Sequence, residues 1–377
     1  MIKVWDYKKE YEALREEILD AVDNVFSGGT LVFGPRVEEF EEKFSKYCDS
    51  KFGIGVGNCT DALYIALKAM NIGTGDEVIT VSNTAVPTVT AIVMTGATPV
   101  FVDVDRYFLM DVVELQSAIH NETKAIIPVH LFGQMCDMGI IMNTAHENNL
   151  RVIEDCAQSH GATYNGRKAG SIGDVGCFSF YPTKIFGAYG DGGFITTNDE
   201  KLYDKMNRMR FFGMERKKMS SGHWNGKYYA LEHGPDTCNS RLDEVHAAIL
   251  LKKLNYIDEW IDRRRQIAER YNEELSDTEF VLPEECYYNR HGYYIYVVAH
   301  PDRDRIMKDL TERDIHLNIS YPWPVHTMIG YEYLGWKDGD LPITEKLANE
   351  IFSLPMYPTL TYAEQTEVIT ALKDIVT

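Results

Sequence analysis

The stretch that decides the fold is residues 151–193, which read RVIEDCAQSHGATYNGRKAGSIGDVGCFSFYPTKIFGAYGDGG. Two apolar runs in it, RVIED and DVGCFSF, have the length and composition of buried strands. The first run ends in Asp155, and the second carries Ser179 near its end and is followed by Lys184. In open α/β sheets, ligands bind at the carboxyl ends of the strands. The stretch therefore predicts two strands of an α/β sheet with a ligand site at their ends.

A carboxylate and a lysine at neighbouring strand ends suit the chemistry of pyridoxal phosphate (PLP). A lysine amine forms a Schiff base with an aldehyde, and a carboxylate beside the pyridine nitrogen keeps that nitrogen protonated. Lys184 fits the first role and Asp155 fits the second. Taken singly, they have ordinary alternatives, a surface lysine and a helix-capping aspartate. Together, and followed by a glycine-rich segment, they predict a cofactor site.

Three motifs make this prediction specific: EDCAQSHGA, GDVGCFSFYPTK and GAYGDGG. They resemble the signatures of the PLP-dependent sugar aminotransferases of the DegT/DnrJ/EryC1/StrS family, and the resemblance runs from Phe33 to beyond Arg241. It implies a fold-type I, aspartate aminotransferase-like α/β fold with a mostly parallel large-domain sheet and a smaller α+β C-terminal domain. We expect the large PLP-binding domain at residues 1–250 and the small domain at 251–377.

The alternation of strand-like and helical runs also predicts a mostly parallel sheet with helices on both faces. Strands are expected at 52–56, 78–81, 99–102, 125–129, 151–155, 175–180, 193–197, 293–298 and 317–319. Helices are expected at 8–26, 37–47, 62–70, 87–95, 111–119, 137–148, 198–212, 303–312, 343–352 and 362–375. Residues 242–270 predict one long helix, or two that meet near Asn255.

Composition narrows the function classes. The chain has 377 residues, of which 45% are hydrophobic, and a net charge of −19, which argues against nucleic acid and anionic membranes as partners. Seven cysteines without a CxxC pair predict reduced thiols, no metal site and a cytoplasmic location. The N-terminus lacks an apolar signal-peptide core, and no run approaches the roughly 20 apolar residues that cross a bilayer.

A second part of the expected site is the turn at Asn58, Cys59 and Thr60, between a strand and an apolar helix. Free backbone N–H groups at a helix N-terminus bind anions, although an ordinary helix cap explains the turn equally well. The family resemblance implies that this turn cradles the PLP phosphate. It also implies that Gln158 contacts the pyridine hydroxyl and that Ser179 binds the phosphate.

The resemblance further implies a homodimer with shared active sites, in which Asn239 of the NSRLDE motif reaches the phosphate of the partner subunit. Residues 214–238 before it are long and without periodicity, and a loop of that length is uncommon without a function. Arg241 either supports this loop or forms an ion pair with Asp243 or Glu244.

One position departs from the family pattern. Members commonly carry an aromatic residue that stacks on the cofactor ring in the segment matching VSNTAVPT. Here the corresponding positions are small or aliphatic, so Ala85 or Val86 is expected to contact the ring. Lys184 is present where the family's dehydratase branch has a histidine, which disfavours that branch.

The segment PVHLFGQ at 128–134 bears on the substrate. It resembles the family branch that aminates a 3-keto sugar, which makes His130 and Phe132 candidate sugar contacts. Tyr181 and His326 are further candidates, and for both of them packing in the core or in a loop is an equal alternative.

The sequence thus predicts a transaminase that takes an amino group from L-glutamate. The acceptor would be a nucleotide-linked, dTDP-type 3-keto-6-deoxyhexose, for the biosynthesis of deoxyamino sugars in O-antigen, lipopolysaccharide or other glycans. The alternatives are a 4-keto sugar or a keto-inositol as the acceptor, and a PLP-binding regulator without turnover. The intact Lys184, Asp155 and Ser179, together with the lack of a basic DNA-binding segment, argue against the regulator.

Overall fold

The structure is a computed structural model that describes residues 1–214 and 236–376. The strands are β1 (Ile2–Lys3), β2 (Phe52–Val56), β3 (Glu77–Val81), β4 (Thr98–Val102), β5 (Thr123–Ile126), β6 (Arg151–Asp155), β7 (Thr163–Tyr164), β8 (Arg167–Lys168), β9 (Val175–Ser179), β10 (Gly193–Thr197), β11 (Asn289–Arg290), β12 (Tyr296–Ala299), β13 (Ile315–His316) and β14 (Ile351–Leu354).

The α-helices alternate with these strands over most of the chain. They are α1 (Tyr7–Gly28), α2 (Pro35–Tyr47), α3 (Cys59–Ala69), α4 (Val86–Met94), α5 (Val112–Leu115), α6 (Met138–Glu147), α7 (Glu200–Met209), α8 (Glu244–Lys253), α9 (Ile257–Leu275), α10 (Arg303–Glu312), α11 (Pro342–Glu350) and α12 (Tyr362–Val376). Short 3₁₀ helices lie at Leu131–Gly133, Val325–Thr327 and Ile329–Leu334.

The central sheet has the strand order β2-β10-β9-β6-β5-β3-β4. Strand β10 runs antiparallel to both of its neighbours, and the other paired strands are parallel. Parallel strands joined by helical crossovers are covered on both faces, and all residues of β9 and β10 are accordingly buried. The predicted mostly parallel α/β sheet is confirmed, and the carboxyl ends of β6 and β9 lie side by side.

A cluster of aromatic rings supports this edge of the sheet. Phe44 of α2 packs edge-on against Phe194 of β10, with ring centroids 5.0 Å apart, and against Phe178 of β9 at 5.4 Å. Phe44 also stacks on Phe186, two residues after Lys184, at 5.4 Å. Close packing of this kind leaves side chains little freedom, so the loop after β9 rests on a rigid base.

Several predicted helices end earlier than expected, and the physical reason is visible at two of them. Helix α5 ends at Leu115, where the Ser117 hydroxyl donates to the carbonyl of Glu114 at 2.7 Å, a bond that competes with helix continuation. Helix α11 ends at Glu350 because the next residues form β14, which pairs with β12. Pairing with a distant strand therefore overrides the local helical pattern there.

The C-terminal part has its own hydrophobic cluster, in which β12 and β14 pack with α9, α10 and α12. The chain start joins this part, because β1 pairs in parallel with β13. Strand β11 pairs with β7, which together with β8 forms a separate three-stranded sheet. The domain division at about residue 250 stays a prediction. In the two described ranges, no helix is both long and apolar enough to cross a membrane.

Candidate active site

A cavity of about 460 Å³ lies at the carboxyl ends of β6 and β9. Asp155 lines it and is 4% exposed. Its Oδ2 accepts from the Thr88 hydroxyl at 2.8 Å, and its Oδ1 accepts from the Ala157 N–H at 3.1 Å. Burial raises the pKa of Asp155, and these donors and the nearby charge of Lys184 offset that effect only in part. The cavity thus holds a buried carboxylate that a cationic ligand group would stabilise.

Lys184 enters the same cavity from the loop after β9. Its backbone N–H donates to the carbonyl of Tyr181 at 2.9 Å, which makes a tight turn. Its Nζ lies 4.5 Å from the ring centroid of Tyr294, close enough for a cation–π contact. The Tyr294 hydroxyl lies 2.9 Å from that of Thr183, so the C-terminal part of the chain holds the lysine-bearing loop.

The turn before α3 forms the wall that the sequence predicts for an anion. Asn58, Cys59 and Thr60 all line the cavity, and Asn58 Oδ1 caps the helix by accepting from the Asp61 N–H at 2.8 Å. The N–H groups of Cys59 and Thr60 lie in the first helical turn, where no carbonyl one turn earlier in the helix can pair with them. The Ser179 hydroxyl lines the same cavity and accepts from the Tyr181 N–H at 3.3 Å.

Gln158 is fixed at both ends of its amide. Its Oε1 accepts from the Phe132 N–H at 2.8 Å, and its Nε2 donates to the Tyr321 hydroxyl at 2.8 Å. Burial raises the pKa of Tyr321, so the phenol is neutral. Gln158 therefore presents one fixed orientation to the cavity it lines.

These groups fit PLP. The buried Asp155 has two donors and a raised pKa, and a protonated pyridine nitrogen is a cation that would stabilise its charge. Lys184 supplies an amine for the aldehyde, and the first turn of α3 with Ser179 supplies donors for the phosphate. The cavity therefore matches each end of the cofactor with a group of suitable chemistry.

The structure separates the other candidates into two groups. Ala85, Tyr181 and His130 line the cavity, and Tyr181 is 51% exposed. The side chains of Val86 and Phe132 lie outside the set of residues that forms the cavity wall. Val86 is exposed at the start of α4, and the Phe132 ring packs on Phe108 at 5.5 Å between centroids.

His326 also lies outside the cavity wall, and both of its ring nitrogens have partners. Nδ1 lies 2.7 Å from the Ser82 hydroxyl, and Nε2 lies 3.1 Å from Glu345. In the single chain His326 thus packs against protein groups, and its expected sugar contact stays a prediction. His130 is held similarly: its Nδ1 accepts from the Cys136 N–H, so its Nε2–H donates to Glu154 at 3.0 Å.

Asn239 is exposed and does not line this chain's own cavity. It forms an isolated antiparallel bridge with Phe211. The guanidinium carbon of the nearby Arg241 lies 4.7 Å from the Phe211 ring centroid and 5.6 Å from that of Phe33. Most of the long loop expected at 214–238 lies outside the described residues, and the roles of Asn239 and of that loop stay predictions.

Sequence reasoning missed several cavity residues, namely Trp5, Thr88, Tyr294 and Tyr321. Thr88 stands in the VSNTAVPT segment, whose resemblance directed attention to the ring-stacking positions instead. Tyr321 begins the YPWPVH segment, in which His326 is the predicted sugar contact. Trp5 and Tyr294 lie in segments whose local pattern is that of ordinary packing.

The comparison with known proteins gives this fold and site a class. The chain matches the DegT/DnrJ/EryC1/StrS aminotransferase family over residues 12–373. It therefore belongs to this family of transaminases, as the sequence motifs predict.

Individual relatives are similar over nearly their whole length. The chain is 48% identical to a dTDP-3-amino-3,4,6-trideoxy-alpha-D-glucose transaminase of Micromonospora megalomicea subsp. nigra, covering 99% of this chain and 98% of that one. It is 41% identical to a dTDP-3-amino-3,6-dideoxy-alpha-D-galactopyranose transaminase of Aneurinibacillus thermoaerophilus, covering 99% of each. The solved structure of S. venezuelae DesV, in complex with a ketimine intermediate, superposes with a TM-score of 0.92 at 35% identity, covering 98% of this chain and 97% of DesV.

Proposed function

We propose that this transaminase uses PLP to transfer an amino group from L-glutamate to the C3 keto group of a dTDP-linked 6-deoxyhexose. The observation that carries the proposal is the meeting of Lys184 and Asp155 in one cavity beside the N-terminus of α3. When bound, PLP supplies an aldehyde that carries the amino group and a pyridinium ring that withdraws electrons from the reacting carbon.

The residues of this chain divide the work between them. Asp155 holds the proton on the pyridine nitrogen, because its buried carboxylate gains stability from that cation. Lys184 moves the proton between the substrate carbon and C4′ of the cofactor. Cys59, Thr60 and Ser179, which line the cavity, would donate to the phosphate, and Gln158 would contact the pyridine hydroxyl.

Two observations support the choice of sugar and position. The two relatives above are named as transaminases of dTDP-linked 3-amino sugars. In addition, the segment from His130 to Phe132 resembles the family branch that acts on 3-keto sugars. Tyr181, half exposed at the cavity, is the side chain that we propose contacts the sugar.

The test is amino transfer by purified, PLP-loaded enzyme with L-glutamate as the donor. Parallel reactions receive dTDP-3-keto-6-deoxyglucose, dTDP-4-keto-6-deoxyglucose or a keto-inositol, and mass spectrometry measures the amino product and 2-oxoglutarate. We expect a product with the 3-keto sugar that Lys184→Ala does not form. A faster reaction with the 4-keto sugar would overturn the regiochemistry, and a faster reaction with the keto-inositol would overturn the sugar acceptor. In both cases the protein would still be a transaminase. An unchanged absorbance of the bound cofactor after glutamate is added would favour a regulator without turnover.

We also propose that the enzyme is a homodimer whose active sites are shared. The support is Asn239, which is exposed in the single chain and matches the family's cross-subunit motif. Inactive Lys184→Ala subunits mixed with inactive Asn239→Asp subunits should regain activity, because one site of each mixed dimer keeps both residues. An active monomer in light scattering, or no recovery after verified subunit exchange, would contradict shared sites.

The proposal also covers the location of the reaction, the use of its product and the domain organisation of the chain. We place the reaction in the cytoplasm, where reduced cysteines persist, and the product in the biosynthesis of O-antigen, lipopolysaccharide or another glycan. We also propose that residues 251–377 form a small domain beside a PLP-binding domain at 1–250. Limited proteolysis with identification of the fragments tests that boundary, and cleavage concentrated far from residue 250 would contradict it.

A further inference from the structure

Ser240 joins two parts of the chain that lie far apart in sequence. Its hydroxyl donates to Oδ2 of Asp61 at 2.6 Å and accepts from the N–H of Gly57 at 2.8 Å. The residue is 2% exposed, and its backbone N–H donates to the carbonyl of Arg210 at 2.8 Å. Its hydroxyl therefore binds both ends of the turn that leads into α3.

This turn is the one proposed to hold the cofactor phosphate. Two hydrogen bonds of Asn58 stabilise the turn. Its Oδ1 accepts from the Asp61 N–H at 2.8 Å, and its Nδ2 donates to Asp61 Oδ2 at 3.0 Å. The Asp61 carboxylate therefore has donors from both Asn58 and Ser240. Among the residues that the structure describes, Asn58, Cys59 and Thr60 line the cavity and Asp61 does not.

The position of the Asp61 charge matters for an anion. A carboxylate three residues into a helix lies close to the N–H groups that would bind a phosphate, and like charges repel at that distance. The bonds from Asn58 and Ser240 hold this carboxylate outside the cavity wall. Loss of the Ser240 hydroxyl would remove one of the two side-chain bonds that hold the carboxylate, leave that of Asn58, and deprive the Gly57 N–H of this acceptor.

We propose that Ser240 is a positioning residue for the cofactor phosphate. Its hydroxyl holds Gly57 and Asp61 so that the N–H groups of Cys59 and Thr60 face the cavity and the carboxylate faces away. The inference rests on the proposed function, in which the PLP phosphate binds at this turn. Ser240 acts through the turn and not through contact with the cofactor.

The residue before Ser240 gives the proposal a wider consequence. Asn239 bridges Phe211 in an antiparallel pair, and in extended backbone successive side chains point to opposite sides. Ser240 is accordingly buried against its own chain's turn, while Asn239 is exposed. In the proposed dimer, this dipeptide serves the phosphate of its own chain through Ser240 and that of the partner through Asn239.

The test distinguishes the contribution of the phosphate to binding affinity from that of the rest of the cofactor. Apo-protein is titrated with PLP and, separately, with pyridoxal, which has the aldehyde and ring but no phosphate. For Ser240→Ala we expect PLP affinity to fall about ten- to a hundredfold, the size of the repulsion between two like charges about 4 Å apart near a protein surface. Pyridoxal affinity should stay within about twofold, because pyridoxal has no phosphate for the turn to bind.

The matched control is Ser45→Ala. Ser45 is 4% exposed, and its hydroxyl donates to the Glu42 carbonyl within its own helix, away from the turn. We expect both affinities to stay at the wild-type value in this control. If Ser240→Ala does not fold, Ser240→Cys replaces it, since a thiol fills the place of the hydroxyl with a weaker donor, and the same selective loss is expected.

Two results would overturn the positioning role alone: an unchanged PLP affinity in Ser240→Ala, or an equal loss of PLP and pyridoxal affinity, which would indicate a general structural effect. A wild-type protein that binds neither aldehyde would overturn the proposed function and this inference with it. The two failures are therefore distinguishable from the same titrations.

Discussion

Two neighbouring carboxylates at the end of β6 face opposite sides of the sheet and have opposite surroundings. Glu154 is fully buried, and its oxygens accept from the His130 ring and from the N–H groups of Gly170, Ile172 and Gly173 at 2.7–3.0 Å. Burial by itself raises its pKa, but these donors outweigh that effect and the pKa is lowered. Its charge is satisfied by the protein.

Asp155, the next residue, has a comparable burial but fewer donors. Thr88 and Ala157 provide one bond each, and burial leaves its pKa raised. The difference distinguishes a structural carboxylate from one in a ligand site. The protein supplies hydrogen-bond donors for both oxygens of Glu154, whereas Asp155 has fewer donors and can gain a partner from a ligand. Burial alone does not distinguish the two.

The largest expected effect on the rate of amino transfer is at Lys184, which lines the same cavity as Asp155. Lys184→Ala should abolish amino transfer from L-glutamate, because the amine that moves the proton is gone. The fold should survive, since Lys184 lines a cavity and is not part of the core. Production of 2-oxoglutarate and the melting temperature are measured together, and wild-type turnover in this variant would sink the assignment.

Asp155→Asn should slow transfer about a hundredfold or more, the effect of removing one partner of a buried ion pair, and should weaken PLP binding. The thermal stability of the cofactor-free protein, in contrast, should not fall in Asp155→Asn. A raised folded-state pKa means that the protonated carboxyl group contributes stability below its unfolded pKa, and that this stability is lost as pH rises through the folded value. At neutral pH the neutral amide should therefore leave the melting temperature of apo-protein equal or higher.

A clear drop in the apo melting temperature of Asp155→Asn would show that the carboxylate is structural after all. An unchanged transfer rate and cofactor spectrum would contradict its role at the pyridine nitrogen. Either result would remove the contrast with Glu154.

Unlike Asp155→Asn, Glu154→Gln should destabilise the protein, lowering the free energy of unfolding by about 3 kcal/mol. The amide nitrogen of the glutamine cannot accept hydrogen bonds from the N–H groups that the carboxylate satisfies. With a lowered folded-state pKa, the contribution of Glu154 is present above its unfolded pKa of roughly 4.3 and is lost as pH falls through the folded value. Urea unfolding of wild type and variant at neutral pH and below about pH 4 measures both effects. A difference that grows at acid pH would refute this account.

Thr88→Val should have the smallest effect, a loss of about tenfold in transfer rate, near the lower end of what one hydrogen bond to a charged acceptor contributes. Without the Thr88 donor the pKa of Asp155 should rise further, so the acid limb of the pH–rate profile should move to higher pH. The control is Thr90→Val on the same helix, whose hydroxyl lies 2.8 Å from that of Tyr331 and does not touch Asp155. Equal profiles for the two variants would exclude a specific role for Thr88.

The elements of the fold were largely predictable, because apolar periodicity and turn residues are local signals. The expected helix at 303–312 coincides with α10, and the expected break near Asn255 separates α8 from α9. Strands β2 and β10 also coincide with the expected ranges. The error at Ile351 and Phe352, predicted as helix and found in β14, arose from pairing with β12, which no local pattern reveals.

The site was predictable where its residues stand in short motifs at strand or helix ends. Asp155, Ser179 and Lys184 follow this rule, and the structure brings them together because parallel strands end at one edge of the sheet. His326 shows what local sequence does not reveal: the fold gives both of its ring nitrogens protein partners, and its contact with the sugar stays a prediction.

The sequence by itself determined the sheet, the family and the motif residues of the site, because each depends on neighbours along the chain. Only the tertiary structure decided which partners those residues have. Thr88 reaches Asp155, Tyr321 reaches Gln158 and Ser240 reaches Asp61 across separations of 67, 163 and 179 residues. Hydrogen bonds act over about 3 Å in space, so they become readable only when packing has brought distant segments into contact.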